Sequence, residues 1–139
     1  MKDTRAFEAV PVGVIHSPFK ERGDAPHQGR SSSSKSEIEI FPEYVDGLRD
    51  IAERSHLIVL YWLDRADRRA LTATPPHSTK EHGVFATRSP NRPNPIGFAL
   101  VDFLGVDGKR LIVRGLDAFD GTPVLDIKPY VREIDCIKE

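Results

Sequence analysis

Between residues 83 and 97 the chain reads GVFATRSPNRPNPIG. Arg88, Asn91, Arg92 and Asn94 stand there beside Pro90, Pro93 and Pro95. Each proline removes a backbone N–H and fixes φ. Each also pushes the residue before it towards extended backbone. The segment is therefore a stiff, extended loop, neither helix interior nor central strand. A rigid loop presenting guanidinium and amide groups suits a polar, anionic or planar ligand. An ordinary connection is shorter, at about 4–6 residues.

Asp126, Lys128 and Tyr130 form a second group, at alternate positions of DIKPY. Strand geometry repeats every two residues, so all three point to one face, and Leu125 and Ile127 to the other, towards the core. An acid, a cation and a phenol converging on one face suit a reaction centre. Asp120-Gly121-Thr122-Pro123 reads as a turn just before them.

The elements that must position these groups are mostly short strands. Residues 10–15 are apolar and β-branched and read as the first strand. Residues 21–36 carry almost no aliphatic side chains and form a long loop. Residues 37–40 alternate polar and apolar, which predicts a half-buried strand. Pro42 suits the first turn of a helix over about 43–52, which Gly47 weakens. Residues 57–63 are apolar on both faces and read as a central strand. Residues 71–81 read as irregular, and the runs 83–86 and 96–101 around the proline loop look strand-like. Runs 98–106 and 109–116 flank Asp107-Gly108, a hairpin signal of type I′. Residues 124–127 make a last strand. The expected fold is mainly β: a small closed or nearly closed antiparallel barrel with one or two short helices. No Gly-rich strand-to-helix turn is present, which argues against a Rossmann-type site.

The 139 residues fit one domain, and 39% hydrophobic with 29% charged residues is ordinary globular composition. The formal net charge of -1 gives no overall basic field, so nucleic-acid binding needs a local patch. Cys136 is the single cysteine, which excludes an internal disulfide and fits a reducing compartment. No signal peptide or spanning run is visible, so the expected location is cytoplasmic. His16, His27, His56, His77 and His82 show no metal-ligand spacing, and no metal is expected. His56 reads as a structural hydrogen-bonding residue ahead of the central strand.

Three blocks, GVIHSPFK at 13–20, the 83–97 loop and DGTPVLDIKPY at 120–130, together closely resemble the tRNA-methyltransferase O family, also called TsaA-like or YaeB. Ser55-His56 is a fourth, weaker block. The resemblance covers nearly the whole chain and is to the compact, single-domain members. It implies a small β-barrel over residues 1–139 that binds S-adenosylmethionine, often as a homodimer in this family. It implies N6-methylation of N6-threonylcarbamoyladenosine beside the anticodon of tRNA. The alternatives are a methyltransferase with another nucleic-acid or small-molecule acceptor, and a non-enzymatic sensor of the cofactor or a nucleotide.

The resemblance also assigns residues. Cofactor contacts are expected from Pro26, His27 and Gln28, from Asp64 and Arg65, and from Phe119, Asp120, Gly121 and Thr122. Asp64 stands where bacterial relatives often have His. Arg88 suits a carboxylate, and Asn94 suits an adenine edge. Arg92 suits the same carboxylate or an RNA phosphate. Asp126 or an adjacent group is the expected proton acceptor, and Lys128 and Tyr130 are expected to stabilise charge on the carbamoyl oxygen.

Overall fold

The computed structural model describes residues 2–19 and 34–138. Pro26, His27 and Gln28 lie outside the described residues. The strands are β1 (Gly13–His16), β2 (Lys35–Ile40), β3 (His56–Trp62), β4 (Thr72–Ala73), β5 (His82–Gly83), β6 (Ile96–Asp107), β7 (Arg110–Arg114) and β8 (Pro123–Pro129). Six of them close into an antiparallel barrel in the order β1-β2-β7-β6-β3-β8, and β4 with β5 forms a separate two-stranded ribbon. Closure removes the exposed strand edges that a small open sheet would present.

Alternation builds the interior. On β3, Leu57, Val59 and Tyr61 turn inward and are buried, and His56, Ile58, Leu60 and Trp62 are half-buried on the outer face. Ile15, Ile38, Val101, Leu111, Val113 and Val124 complete the same cluster from the other five strands. Each such side chain contributes about 1.5–3 kcal/mol by leaving water. β3 is central, as its composition predicts: β6 pairs on one side and β8 on the other.

Several local expectations are corrected. The helix over 43–52 is instead two 3₁₀ segments, Pro42–Leu48 and Ile51–Glu53. Asp50 between them adopts φ 68°, which interrupts helical hydrogen bonding. With Gly47 inside it and no buried residue on it, this stretch lacks the propensity and packing a regular helix needs. Among the described residues the one α-helix is a single turn, Arg132–Asp135. Residues 83–86 are not a strand: Gly83 ends β5, and Val84–Ala86 is a 3₁₀ turn. The first strand begins at Gly13, since Pro11 has no N–H to pair. The β6–β7 hairpin forms as predicted, but its two-residue loop is Gly108-Lys109, because Asp107 still pairs with Arg110. Only Gly108 has positive φ, at 60°, which fits a type II′ turn and not type I′.

Strand direction sorts the connections onto two ends. One end carries the loops around residues 63–95 and 115–122 and the outgoing end of β1. The other carries residues 41–55, the Gly108 turn and the tail after β8.

Candidate functional site

The segments around residues 64–69, 83–97 and 117–122 meet at the first of these ends. The Leu63 N–H donates to the Pro95 carbonyl at 2.8 Å. Asp67 N–H donates to Asn91 Oδ1 at 2.9 Å. Arg68 donates through Nε to the Pro93 carbonyl at 2.8 Å and through Nη2 to Asn94 Oδ1 at 3.4 Å. These bonds fasten the Asp64-Arg65 pair to the proline loop. The Arg65 guanidinium then lies 4.5 Å from the centre of the Phe119 ring, which brings in the third segment.

The third segment is held to β1. Asp120 Oδ1 accepts from Ser17 N–H at 3.0 Å, and Asp120 N–H donates to the Phe19 carbonyl at 2.7 Å. Ser17 Oγ donates to the Ala118 carbonyl at 2.8 Å. Thr122 donates twice to the Phe119 carbonyl, from N–H at 3.2 Å and from Oγ1 at 2.7 Å. Gly121 sits at φ 86°, the conformation the third position of a type II turn requires. The turn is thus pre-shaped, with its Asp120 carboxylate used in part to hold it.

Two arginines of the proline loop do different things. Arg92 donates to three carbonyls of its own loop: Thr87 at 3.1 Å, Ser89 at 3.0 Å and Val84 at 2.9 Å. Its guanidinium fixes the loop's shape. Arg88 is exposed, and its guanidinium lies 5.5 Å from the centre of the Phe98 ring.

Beside Arg88 is a pair that the sequence reasoning missed. The Tyr61 hydroxyl donates to Asp117 Oδ1 at 2.6 Å. Burial pushes the Tyr61 hydroxyl well above its ordinary value of 10, the neighbouring Asp117 charge adds to this, and Arg88 opposes it. Burial also raises the Asp117 carboxyl, against the lowering effects of the Tyr61 hydrogen bond and the Arg88 charge. Tyr61 reaches this place because Gly97 has no side chain: an added Cβ would lie 2.5 Å from Tyr61 Cζ. One signal was available. A phenol in the aliphatic run of β3 is a polar atom that needs a partner once buried.

Asp126, Lys128 and Tyr130 are not brought to this end. Asp126 pairs with Leu60 and Lys128 with Ile58, and both side chains are exposed on the outer wall. Tyr130 N–H reaches the His56 carbonyl at 3.2 Å, at the opposite end of β3. At ~3.3 Å per residue, Tyr130 is roughly 20 Å along the chain from Val124. Asp126 and Lys128 form an ion pair at 3.2 Å. They line an open cleft of about 560 Å³ with Tyr44, Leu48, Ile51 and Arg54. His56 makes structural contacts, to Ser55 Oγ at 3.0 Å and Asp102 Oδ1 at 3.3 Å. Among the described residues no group of three His, Cys, Asp or Glu side chains is placed to hold a metal, and no helix is long and apolar enough to cross a membrane.

With this geometry in place, residues 14–136 match the tRNA-methyltransferase O N-terminal domain. The chain belongs to that family. It is 66% identical over 126 residues to a probable S-adenosyl-L-methionine-binding protein of Archaeoglobus fulgidus, covering 91% of this chain but 34% of that protein. A second S-adenosyl-L-methionine-binding protein of the same organism is 57% identical over 129 residues, with 93% of each chain covered. The tRNA (adenine(37)-N6)-methyltransferase of Escherichia coli is 39% identical, over 91% of this chain and 58% of that protein. The crystal structure of TrmO from Pseudomonas aeruginosa superposes with a TM-score of 0.80 at 33% identity, covering 97% of this chain and 59% of that one. The chain thus spans about a third of one Archaeoglobus relative and under two thirds of the bacterial ones. The expected family and the expected barrel are both found.

Proposed function

We propose that this chain binds S-adenosylmethionine at the loop end of the barrel and transfers its methyl group to N6 of an adenosine in tRNA, N6-threonylcarbamoyladenosine beside the anticodon. The observation that carries this reading is the meeting of the 64–69, 83–97 and 117–122 segments at one end of a TrmO-type barrel. Family membership and the names of the Archaeoglobus and E. coli relatives support it.

The donor set fits the cofactor. S-adenosylmethionine offers a carboxylate, an ammonium, a sulfonium and an adenine. Arg88 and Arg65 answer the carboxylate with forked guanidinium donors. Asp120 places negative charge at the same end for the cationic groups. Phe98 and Phe119 offer ring faces to the adenine, and Asn94 an amide to its edge. When bound, the cofactor supplies an electrophilic methyl group. The chain's own task is to fix the acceptor nitrogen in line with it; such alignment is worth up to ~7–11 kcal/mol of the barrier.

Arg65, Arg68, Arg69 and Arg88 are exposed around this end and give the local basic patch that an RNA backbone needs. A homodimer belongs to the proposal as well. Ile96, about half exposed on the outer face of β6, is apolar surface that a second copy would cover. Sedimentation equilibrium tests that part.

One observation favours a second reading. The Archaeoglobus relative of nearly equal length is named only for binding S-adenosylmethionine. Incubation with methyl-labelled cofactor and total tRNA, followed by nucleoside mass spectrometry, separates the two. Label on N6-threonylcarbamoyladenosine supports the proposal. Cofactor binding without transfer to any RNA favours a sensor.

A further inference from the structure

The methyl-transfer reading leaves open which group takes the proton from the acceptor nitrogen. Asp126 is the acid that the sequence suggests. Its carboxylate stands on the outer wall, paired with Lys128 and accepting the Ile127 N–H at 2.9 Å. Asp117 stands elsewhere. It is half-buried in the 117–122 segment, flanked by buried Leu116 and Ala118, at the end where the cofactor-contacting segments meet. Tyr61 takes one of its oxygens from beneath, and Arg88 lies close enough to influence its charge.

We propose that Asp117 is the proton acceptor of the transfer and that Tyr61 is the residue that positions it. The inference rests on the function proposed above. The step balances. The N–C bond forms as the S–C bond breaks, and the S–C electron pair stays on sulfur as a neutral thioether. The proton leaves the acceptor nitrogen for Asp117, which later releases it to water. One positive charge on sulfur and one negative charge on the carboxylate disappear together. A carbamoylated N6 is a poor nucleophile, so removing its proton is where a base helps most.

Three features of the site suit this role. Partial burial makes a carboxylate a stronger base than one in water. The Tyr61 ring is itself locked between Gly97 and the core, so its hydroxyl fixes Asp117 within a narrow range. Arg88, from the proline loop, and Tyr61, from β3, both favour the ionised form, which keeps the acid ready to accept.

The test compares wild type with Asp117→Asn, Asp117→Glu and Tyr61→Phe in the full chain. Three quantities are read: kcat with labelled cofactor and total tRNA, cofactor Kd by calorimetry, and titration of the Asp117 carboxyl carbon by NMR. Asp117→Asn is expected to lower kcat by about 10²–10⁴-fold, with Kd unchanged. Asp117→Glu keeps the acid and recovers part of that loss. Tyr61→Phe removes a hydrogen bond that favours the charged form, so the carboxyl titration and the acidic limb of kcat both move to higher pH. Normal turnover in Asp117→Asn overturns the inference and leaves the methyltransferase reading standing. Parallel loss of cofactor binding in Asp117→Asn overturns it too, and makes Asp117 a cofactor-holding residue. An unmoved titration in Tyr61→Phe removes the positioning role. Wild type that binds cofactor and methylates no RNA overturns the functional reading itself.

Discussion

The Tyr61 hydroxyl meets Asp117 Oδ1 at 2.6 Å across 56 residues of chain. This bond fastens the segment between β7 and β8 to the barrel wall. Tyr61→Phe keeps the ring and its packing but leaves a half-buried carboxylate without its donor. The expected loss is about 1–3 kcal/mol of stability. Calorimetric melting at neutral pH checks it, and a melting temperature equal to wild type would mean that water replaces the donor at no cost.

Gly97→Ala tests the same pair from below. The added Cβ would press on the Tyr61 ring, whose atoms Cζ and Cδ2 lie 2.5 and 2.6 Å from its position. A buried ring in the core cluster has nowhere to swing. Overpacking of this kind costs about 1–3 kcal/mol. The strain should also displace the hydroxyl from Asp117. The Gly97→Ala/Tyr61→Phe double variant is therefore expected to lose less than the sum of the singles, measured by urea midpoints.

Much of this arrangement was readable in the residues. The β3 pattern announced a central strand, Asp107-Gly108 announced a hairpin, and the three prolines announced a stiff loop. Those signals are local, and local chemistry decides them. The Tyr61–Asp117 bond is not local. It exists only once β3 is paired with both β6 and β8, and no spacing in the sequence encodes it. The two arginines of the loop show the same limit. Arg88 and Arg92 look alike in the string TRSPNRP, and only the folded loop shows that Arg92 turns back onto its own carbonyls. Asp126 and Lys128 are exposed at alternate positions of β8, and Tyr130 lies just past its end; spacing does not say which end of a barrel a strand reaches.

That difference between the arginines is measurable. Arg92→Ala leaves the carbonyls of Val84, Thr87 and Ser89 without a shared donor. It is expected to lower the melting temperature and to weaken S-adenosylmethionine binding together, because the loop loses its shape. Arg88→Ala removes an exposed side chain resting on Phe98. It should lower the melting temperature less than Arg92→Ala does while raising the cofactor Kd about tenfold or more, as expected for a lost charge-assisted hydrogen bond of ~1.5–3 kcal/mol. Calorimetric binding and melting on both variants check the contrast. Equal behaviour of the two would mean that both arginines are structural.

The Asp117 carboxyl makes a prediction about pH with a definite sign. Burial raises its folded-state pKa above the ordinary 3.8, despite the opposing effects of Tyr61 and Arg88. The folded protein therefore favours the protonated form. Its contribution to stability is fully present below the unfolded value and is lost as pH rises through the folded one. Asn carries the neutral shape at every pH. Asp117→Asn should then be at least as stable as wild type at pH 7, and that advantage should vanish at pH 3, where both side chains are largely neutral. Urea midpoints at the two pH values decide it. A variant clearly less stable than wild type at pH 7 would mean that Tyr61 and Arg88 outweigh burial. A variant more stable yet inactive would fit a carboxylate kept for chemistry at a cost to the fold.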